Sequence, residues 1–547
     1  MVGDSVPALC RVRLAGMPAW EGRSTMADSE NNTNTTETES SGVSSSTMTN
    51  ASPVTTISLE GRKQILSDAD EITESNIIDV LSKALTVHER NAFEEKYLYE
   101  YYLGKQPIRF KTKQYRQDVN NRIVENRAQE IVTFKSSYAL GEPVQYVLRS
   151  GITDGLDALN QLNDWMFSRK KSAEDKRLAN WMHICGLGVR MVVPEKNDYA
   201  KAPFHIYTLD PRTSFVIYRN DLGKTPLLGV TYITKADGAT RTYYCYTDSE
   251  YFEIEGNMPV GVITRHEPTL LGRIPIIEYP LNMGREGVFE PVISLLDALN
   301  ILSSNRVDSV QSFVDAIMLF HNVQITNDVI TQMREMGALM YSDTDASSPG
   351  EIKYLVSELN QSQTQTLKDD LWQSIKEIVG MPSQSDGSAS SSSNNGAEIV
   401  RNGWEQAESC AKDFELEFDG SETDMLALCL RIADTMAPRY YTDTVDASVI
   451  RSLGRLKIGD IRIQFTRRNY ENIATKSAVL LQMLGSDKVH PKLAFEHSGM
   501  FADPERAYTE SMEYYRSVTD KAKNTKPDND GGVDGSDDGA RDPDASA

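Results

Sequence analysis

The spacing of apolar positions changes along the chain, and each change marks a new set of elements. Between residues 60 and 180 the repeat is helical. Ile77, Ile78, Val80, Leu81 and Leu85 open a stripe that Glu94, Tyr97, Tyr101 and Tyr102 continue, and the stretch 103–108 (LGKQPI) breaks it. Residues 120–126 lead into Ile131, Val132 and Phe134, and Gly141 and Pro143 end that second helix. From 186 to 280 the period is two. Stretches 188–193, 204–207, 215–218, 228–233, 241–246 and 251–254 alternate or run β-branched and aromatic, with Asp237-Gly238 as a hairpin turn. This predicts an antiparallel sheet region set among helices. The pattern over 288–318, interrupted only by Pro291 in its first turn, predicts a single helix of about 30 residues, roughly 45 Å long. Its ends are apolar and its centre, Ser303 to Ser309, is polar, which suits a helix packing beside copies of itself with another face wet.

Two short strands, 339–341 and 352–356, flank the turn-rich stretch 342–350, and a helix over 359–379 stops at Gly380-Met-Pro382. The Ser/Gly/Asn run 383–396 reads as a flexible loop. A helical tract over 397–436 is expected to break near Asp419-Gly420, a strand over 458–467 follows, and helices continue to about residue 522. The overall expectation is an α+β fold.

Composition changes the picture mainly at the ends. Residues 1–57 are rich in Ser, Thr, Asn and Glu, and cannot offset the entropy of ordering. Residues 523–547 form an acidic tail. Both are expected to be disordered, and Met26, followed by Ala-Asp-Ser-Glu, is expected to be the natural start. At 547 residues the chain should hold several substructures. No apolar run reaches transmembrane length, and the N-terminus lacks a signal-peptide core, so an intracellular, soluble protein is expected. The five scattered cysteines read as buried thiols. A formal net charge of -22 argues against tight phosphate clamping and leaves room for loose passage of nucleic acid.

Candidate chemistry is sparse. The chain has no GxxxxGK[ST], GxSxG or HExxH motif. Cys185-Gly-Leu-Gly-Val-Arg190 lacks a third glycine and leads into a strand, so it reads as structural. His183, His205, His266 and His321 are isolated in sequence, and Asp343 with Asp345 sits in turn composition. No catalytic residue, metal ligand or cofactor is expected.

Several stretches, in this order and spacing, resemble the portal proteins of long-tailed double-stranded-DNA phages. They are 126–143 (NRAQEIVTFKSSYALGEP), 185–190 (CGLGVR) with 207–218 (YTLDPRTSFVIY), and 274–280 (IPIIEYP) before 289–300 (FEPVISLLDALN), within a similarity spanning about 60–520. The resemblance implies a phage portal fold. Its parts would be a mixed α/β wing (58–287), a first stem helix (288–318), a small α/β clip (319–357) and a second stem helix (358–380). A tunnel loop (381–396), a long helix with the wing's return strand (397–468) and a helical crown (469–522) would follow, between the N-terminal extension 1–57 and the tail 523–547. Tunnel-loop residues facing DNA would include Gln384, Ser385, Asp386, Ser388, Asn394 and Asn395, although this loop is more serine-rich than the family pattern. Clip residues docking a terminase would include Asp343, Asp345, Glu351 and Lys353.

The implied function is mechanical. Copies would form a closed ring, typically a dodecamer, at one capsid vertex of the virion, after assembly in the host cytoplasm. Implied partners are the terminase large subunit, head-completion or adaptor proteins, scaffolding and major capsid proteins, and double-stranded DNA passing without sequence specificity; no cofactor or membrane is implied. The rival readings are a connector ring without a packaging role and a metal-dependent nucleic-acid-processing enzyme, which the missing basic groove disfavours.

Overall fold

A computed structural model describes residues 59–113, 117–149, 155–195, 202–314, 317–321, 351–355, 361–382, 404–440, 456–465, 473–501 and 504–524. The chain divides into two compact units, Met1–Arg468 and Asn469–Ala547. The expected disorder of both termini and the proposed start at Met26 lie outside the described residues.

The first unit is α+β. It opens with β1 (Ile65–Ser67), α1 (Ile77–Tyr102), α2 (Arg127–Ala139), β2 (Gln145–Leu148), α3 (Leu156–Ser168) and α4 (Lys171–Cys185). Eight strands follow: β3 (Leu187–Pro194), β4 (Phe204–Leu209), β5 (Ser214–Arg219), β6 (Pro226–Thr234), β7 (Arg241–Tyr246), β8 (Glu250–Glu255), β9 (Val262–Pro268) and β10 (Ile276–Pro280). Then come α5 (Ile293–Val314), β11 (Ile317–His321), β12 (Glu351–Leu355), α6 (Gln361–Val379), α7 (Trp404–Tyr440) and β13 (Ile461–Gln464).

The strand region forms two sheets, a six-stranded one in the order β1-β5-β6-β7-β8-β9 and a three-stranded one in the order β10-β3-β4. All pairings are antiparallel except β1 with β5, so the larger sheet is mixed, where a purely antiparallel one was expected. The six strands expected between 186 and 280 are present, and the turn at Asp237-Gly238, with Gly238 at φ +71°, lies between β6 and β7. Strands β1, β2, β9 and β10 are additional. β9 is an edge strand whose positions alternate between exposed and half-buried, so it carries no continuous apolar run. β2 is made a strand by its antiparallel partner β13, more than 300 residues away in sequence.

α1 ties the large sheet to the rest of the body. Its first half, through Ile77, Val80, Leu81, Ala84 and Leu85, packs on Phe215, Ile217, Val230 and Phe252. Its second half, through Leu98 and Tyr101, joins α2 and the start of α5. A third cluster holds α3 and α4 against β4 and α7, through Leu162, Trp165, Leu178, Phe204, Phe418 and Met425. Each such large side chain contributes about 1.5–3 kcal/mol when fully buried.

Two helical expectations and one strand expectation are corrected. The helix expected over 288–318 is shorter: a 3₁₀ turn, Glu290–Val292, precedes α5, and Ile317 and Met318 belong to β11. The break expected near Asp419-Gly420 is absent, because α7 runs 37 residues straight through. The glycine costs the helix roughly 1 kcal/mol, which buried Phe418, Glu422, Met425 and Leu426 on either side outweigh. The strand expected over 458–467 begins with a 3₁₀ turn, Ile458–Asp460.

The second unit contains α8 (Ile473–Leu484), α9 (Pro491–Ser498) and α10 (Pro504–Asn524). His490 caps α9 by accepting from the Lys492 backbone N–H at 3.1 Å, and Gly499 ends it at φ +61°. Phe495 stacks on Phe501 and meets the edge of Tyr508. Among the described residues no helix is long and apolar enough to cross a membrane.

Candidate functional site: a paired-helix stem

α5 and α6 form an antiparallel pair rooted in the body. Val292, Leu296 and Leu299 at the start of the pair and Ile375 and Val379 at the end of α6 share one apolar cluster with Phe289, Leu98, Tyr101 and Ile131. Tyr101 Oη donates to Asp297 at 2.9 Å, fixing the first turns of α5 to α1. Farther out, Arg306 donates to Gln365 Oε1 at 2.5 Å. Next in sequence beyond the distal ends, β11 and β12 pair antiparallel, registered from Ile317 opposite Leu355 to His321 opposite Glu351.

The polar centre of α5 meets the chain's own segment 117–126. Backbone N–H groups of Asn121, Ile123 and Glu125 donate to Asp308 Oδ1 (2.6 Å), Ser304 Oγ (2.9 Å) and Asn300 Oδ1 (2.8 Å). Two residues of extended chain advance about 6.6 Å and four residues of helix about 6 Å, so alternate amides can match every fourth helical side chain. Lys111 and Lys113 both reach Asp308 Oδ2, at 2.9 and 2.6 Å. Burial alone would raise the Asp308 pKa, but Lys113, Lys111 and Asn121 hold the carboxyl far below the usual carboxylate range. Glu125 accepts from Ser303 and Lys368, linking the segment to both helices. The polarity read in the sequence as a surface for a second copy is thus satisfied largely within the chain, and Asn300, Ser304 and Asp308 are buried.

At its inner end α6 stops at Gly380, φ +63°, where a side chain would collide with Cys410 Sγ at 2.6 Å. The buried Lys135 amine donates to Gly380 O at 3.1 Å, and burial lowers its pKa. Gln406 Nε2 donates to Glu377 O at 3.0 Å, and Trp404 lies against Phe134 and Tyr138. Both flanks of the run 383–403 are therefore held at the root of the stem.

A buried ionic centre anchors α7 in the body. Arg190 of β3 donates to Asp175 and, at 3.0 Å, to Glu422, while Lys171 reaches Glu422 at 2.7 Å and Asp175 at 2.6 Å. Tyr146 and Tyr279 also donate to Glu422, at 2.5 and 2.8 Å. Burial would raise the Glu422 pKa, but Lys171 and Arg190 keep it lowered. Sequence reasoning missed this centre, although signals were present: Arg190 interrupts an apolar strand, and Glu422 sits on the apolar stripe of Phe418, Met425 and Cys429. The same geometry explains the 185–190 stretch. Gly186 ends α4 at φ +77°, where a side chain would strike Arg285 O at 2.2 Å, and Gly188 lets β3 approach Leu178 and Met182 of α4.

Of the residues singled out in the sequence, Glu351 and Lys353 lie two apart on β12, paired with His321 and Leu319. Asp343, Asp345, Gln384, Ser385, Asp386, Ser388, Asn394 and Asn395 lie outside the described residues. Cys185, Cys245 and Cys429 are buried free thiols, and Cys410 is half-buried. Among the described side chains the singled-out histidines stay apart: His183 bonds Ala179 O at 2.7 Å, His205 meets Glu195, and His266 lies 3.5 Å from Glu250, while the side chain of His321 lies outside the description.

Among solved structures, the chain is similar to one described as the neck of a native GTA particle computed with C12 symmetry, at 10% identity and TM-score 0.36, over 68% of this chain and 89% of that one. It is similar also to the neck of an empty GTA particle computed with C6 symmetry, at 10% identity and TM-score 0.37, over 68% and 90%. Likeness of that degree assigns this chain nothing by itself. No curated protein matches it. The model of the phage portal protein family, SPP1 Gp6-like, matches residues 82–525, which runs from within α1 through the α5/α6 pair to the end of the three helices of the second unit. With a match over most of its length, the chain belongs to the SPP1 Gp6-like phage portal protein family.

Proposed function

We propose that copies of this chain close into a ring of about twelve at one capsid vertex of a phage-like particle, and that DNA is packaged and ejected through its axis. The observation that carries this reading, given family membership, is the α5/α6 pair. Beyond its apolar root it exposes Ile301, Val307 and Val310 on α5 and Leu367 on α6, apolar side chains that no described residue fully covers and that the two neighbouring copies of a ring would. In this reading 58–287 is the wing, 319–357 the clip that docks the terminase large subunit, 381–396 the tunnel loop and 469–522 the crown, while adaptor, scaffolding and capsid proteins meet the outer surfaces. The -22 net charge suits a channel that repels phosphates and lets DNA slide. The ATPase resides in the terminase partner, and this chain acts as the conduit.

Negative-stain microscopy with mass photometry tests the ring directly. Rings of about a dozen copies with an axial hole are expected; a monomer at every concentration, even with scaffolding protein added, counts against the reading. Deleting 383–395 should leave rings intact and impair packaging or retention of DNA. Normal genome content in particles carrying that deletion would remove the tunnel assignment.

A further inference from the structure

We infer that segment 117–126 is a releasable clasp that sets the direction of the stem, so that α5 and α6 pivot about their apolar root when it lets go. The root and the clasp hold α5 by different physics. The root is made of buried Val292, Leu296, Leu299, Ile375 and Val379, whose separation would expose apolar surface to water. The clasp is made of hydrogen bonds and ion pairs, and water replaces such partners on both sides when it opens, so its opening exposes little apolar surface. Val119 is the one fully buried apolar residue among 117–126, and it belongs to none of the apolar clusters.

The geometry makes the clasp act as one unit. Its three backbone donors engage Asn300, Ser304 and Asp308 one helical turn apart, so losing the outermost contact removes the alignment of the next. Asp308 is the most heavily used point, accepting from Asn121 twice and from Lys111 and Lys113, with one side-chain bond beyond it, from Asn121 Nδ2 to Gln311 Oε1 at 3.0 Å. At the inner end, Asn300 Nδ2 donates to Gln106 Oε1 at 2.5 Å, and Gln106 in turn bonds Asn126, so release stops where the segment meets α1 and α2. Segments held this way open locally while the core around them stays closed. The consequence is a stem with two positions: clasped to the body along half the length of α5, or held by its root alone.

Native-state hydrogen exchange on the full chain, followed by mass spectrometry, tests this. The amides of Asn121, Ile123 and Glu125 should exchange together and at least about tenfold faster than those of Leu296 and Leu299, whose helix is the more protected unit. Asp308→Ala should speed exchange at all three clasp amides by a further tenfold or so and leave the two root amides unchanged. The milder Ser304→Ala should do the same to a smaller extent, which keeps the test usable if the first variant folds poorly. Clasp and root amides exchanging at one rate, or a variant that exposes only the amide of the contact it deletes, would overturn the inference.

Discussion

At the scale of single residues, the strongest constraint is the buried charge around Arg190. Its guanidinium is fully enclosed and lies 5.1 Å from the ring centre of Tyr279 while its nitrogens serve Asp175 and Glu422. Two cations and two carboxylates neutralise one another there, and removing one partner leaves an uncompensated buried charge. Arg190→Met, similar in volume, should therefore lower unfolding free energy by about 3–5 kcal/mol. Urea denaturation of the purified chain measures it, and a loss below about 1 kcal/mol would mean that water reaches the site. Two buried histidines contribute a pH dependence of one sign, opposed by the carboxyls of Glu95, Glu290 and Asp297, whose pKa burial raises. Burial lowers the pKa of His88 to about 4, and that of His183 likewise. Between 6.5 and 4 the unfolded chain binds protons that the folded chain refuses, so stability falls with falling pH, by about 1.4 kcal/mol per pH unit for each histidine. His88 stacks on Phe215 at 4.1 Å, and its carbonyl partner, Arg212 O, also accepts from Tyr232 Oη. His88→Phe should thus fold and lose about half of the acid sensitivity assigned to the pair; equal denaturation midpoints shifts for both proteins between pH 7 and pH 5 would show that His88 takes no part.

At the scale of elements, legibility followed whether a residue's environment is local. The strands β3 to β8 show in the sequence because one face of each meets an apolar neighbour, and α1 shows because its stripe is buried from Ile77 to Tyr101. Elements whose reason lies elsewhere in the chain did not show. β2 depends on β13, and the polar middle of α5 on residues 121–125, so neither stretch carries its explanation locally. The sites fared less well than the fold: clip and loop positions were picked by resemblance, whereas Arg190 and Glu422 announced themselves as charges inside apolar patterns and were passed over. Gly420 illustrates the opposite error, in which a local breaker is overruled by packing. A side chain there would meet open space. Gly420→Ala should accordingly stabilise α7 by about 0.5–1 kcal/mol, read as a higher denaturation midpoint. A destabilised variant would mean that a neighbouring copy approaches the helix at this point.

At the scale of the whole molecule, the half-exposed apolar side chains of the α5/α6 pair, Ile301, Val307, Val310 and Leu367, separate a ring from a free-standing chain. In one copy these side chains are 40–50% exposed, an arrangement with little consequence for folding, since the apolar root already fixes both helices. In a ring each would be covered by one of the two neighbouring copies, and a charge buried without a partner would cost several kcal/mol at every interface. A closed ring multiplies that cost by its number of interfaces, so one substitution per chain acts many times. Val307→Glu should leave circular dichroism and the denaturation midpoint of the isolated chain unchanged and abolish rings in mass photometry. Leu222→Glu, on a fully exposed body position, supplies the matched change in charge and should leave rings intact. If Val307→Glu assembles as well as the unaltered chain, the copies meet through other surfaces and the stem pair faces outward. If both variants fail, added negative charge on a chain already at -22 is itself what prevents assembly, and raising the ionic strength should then restore rings in both.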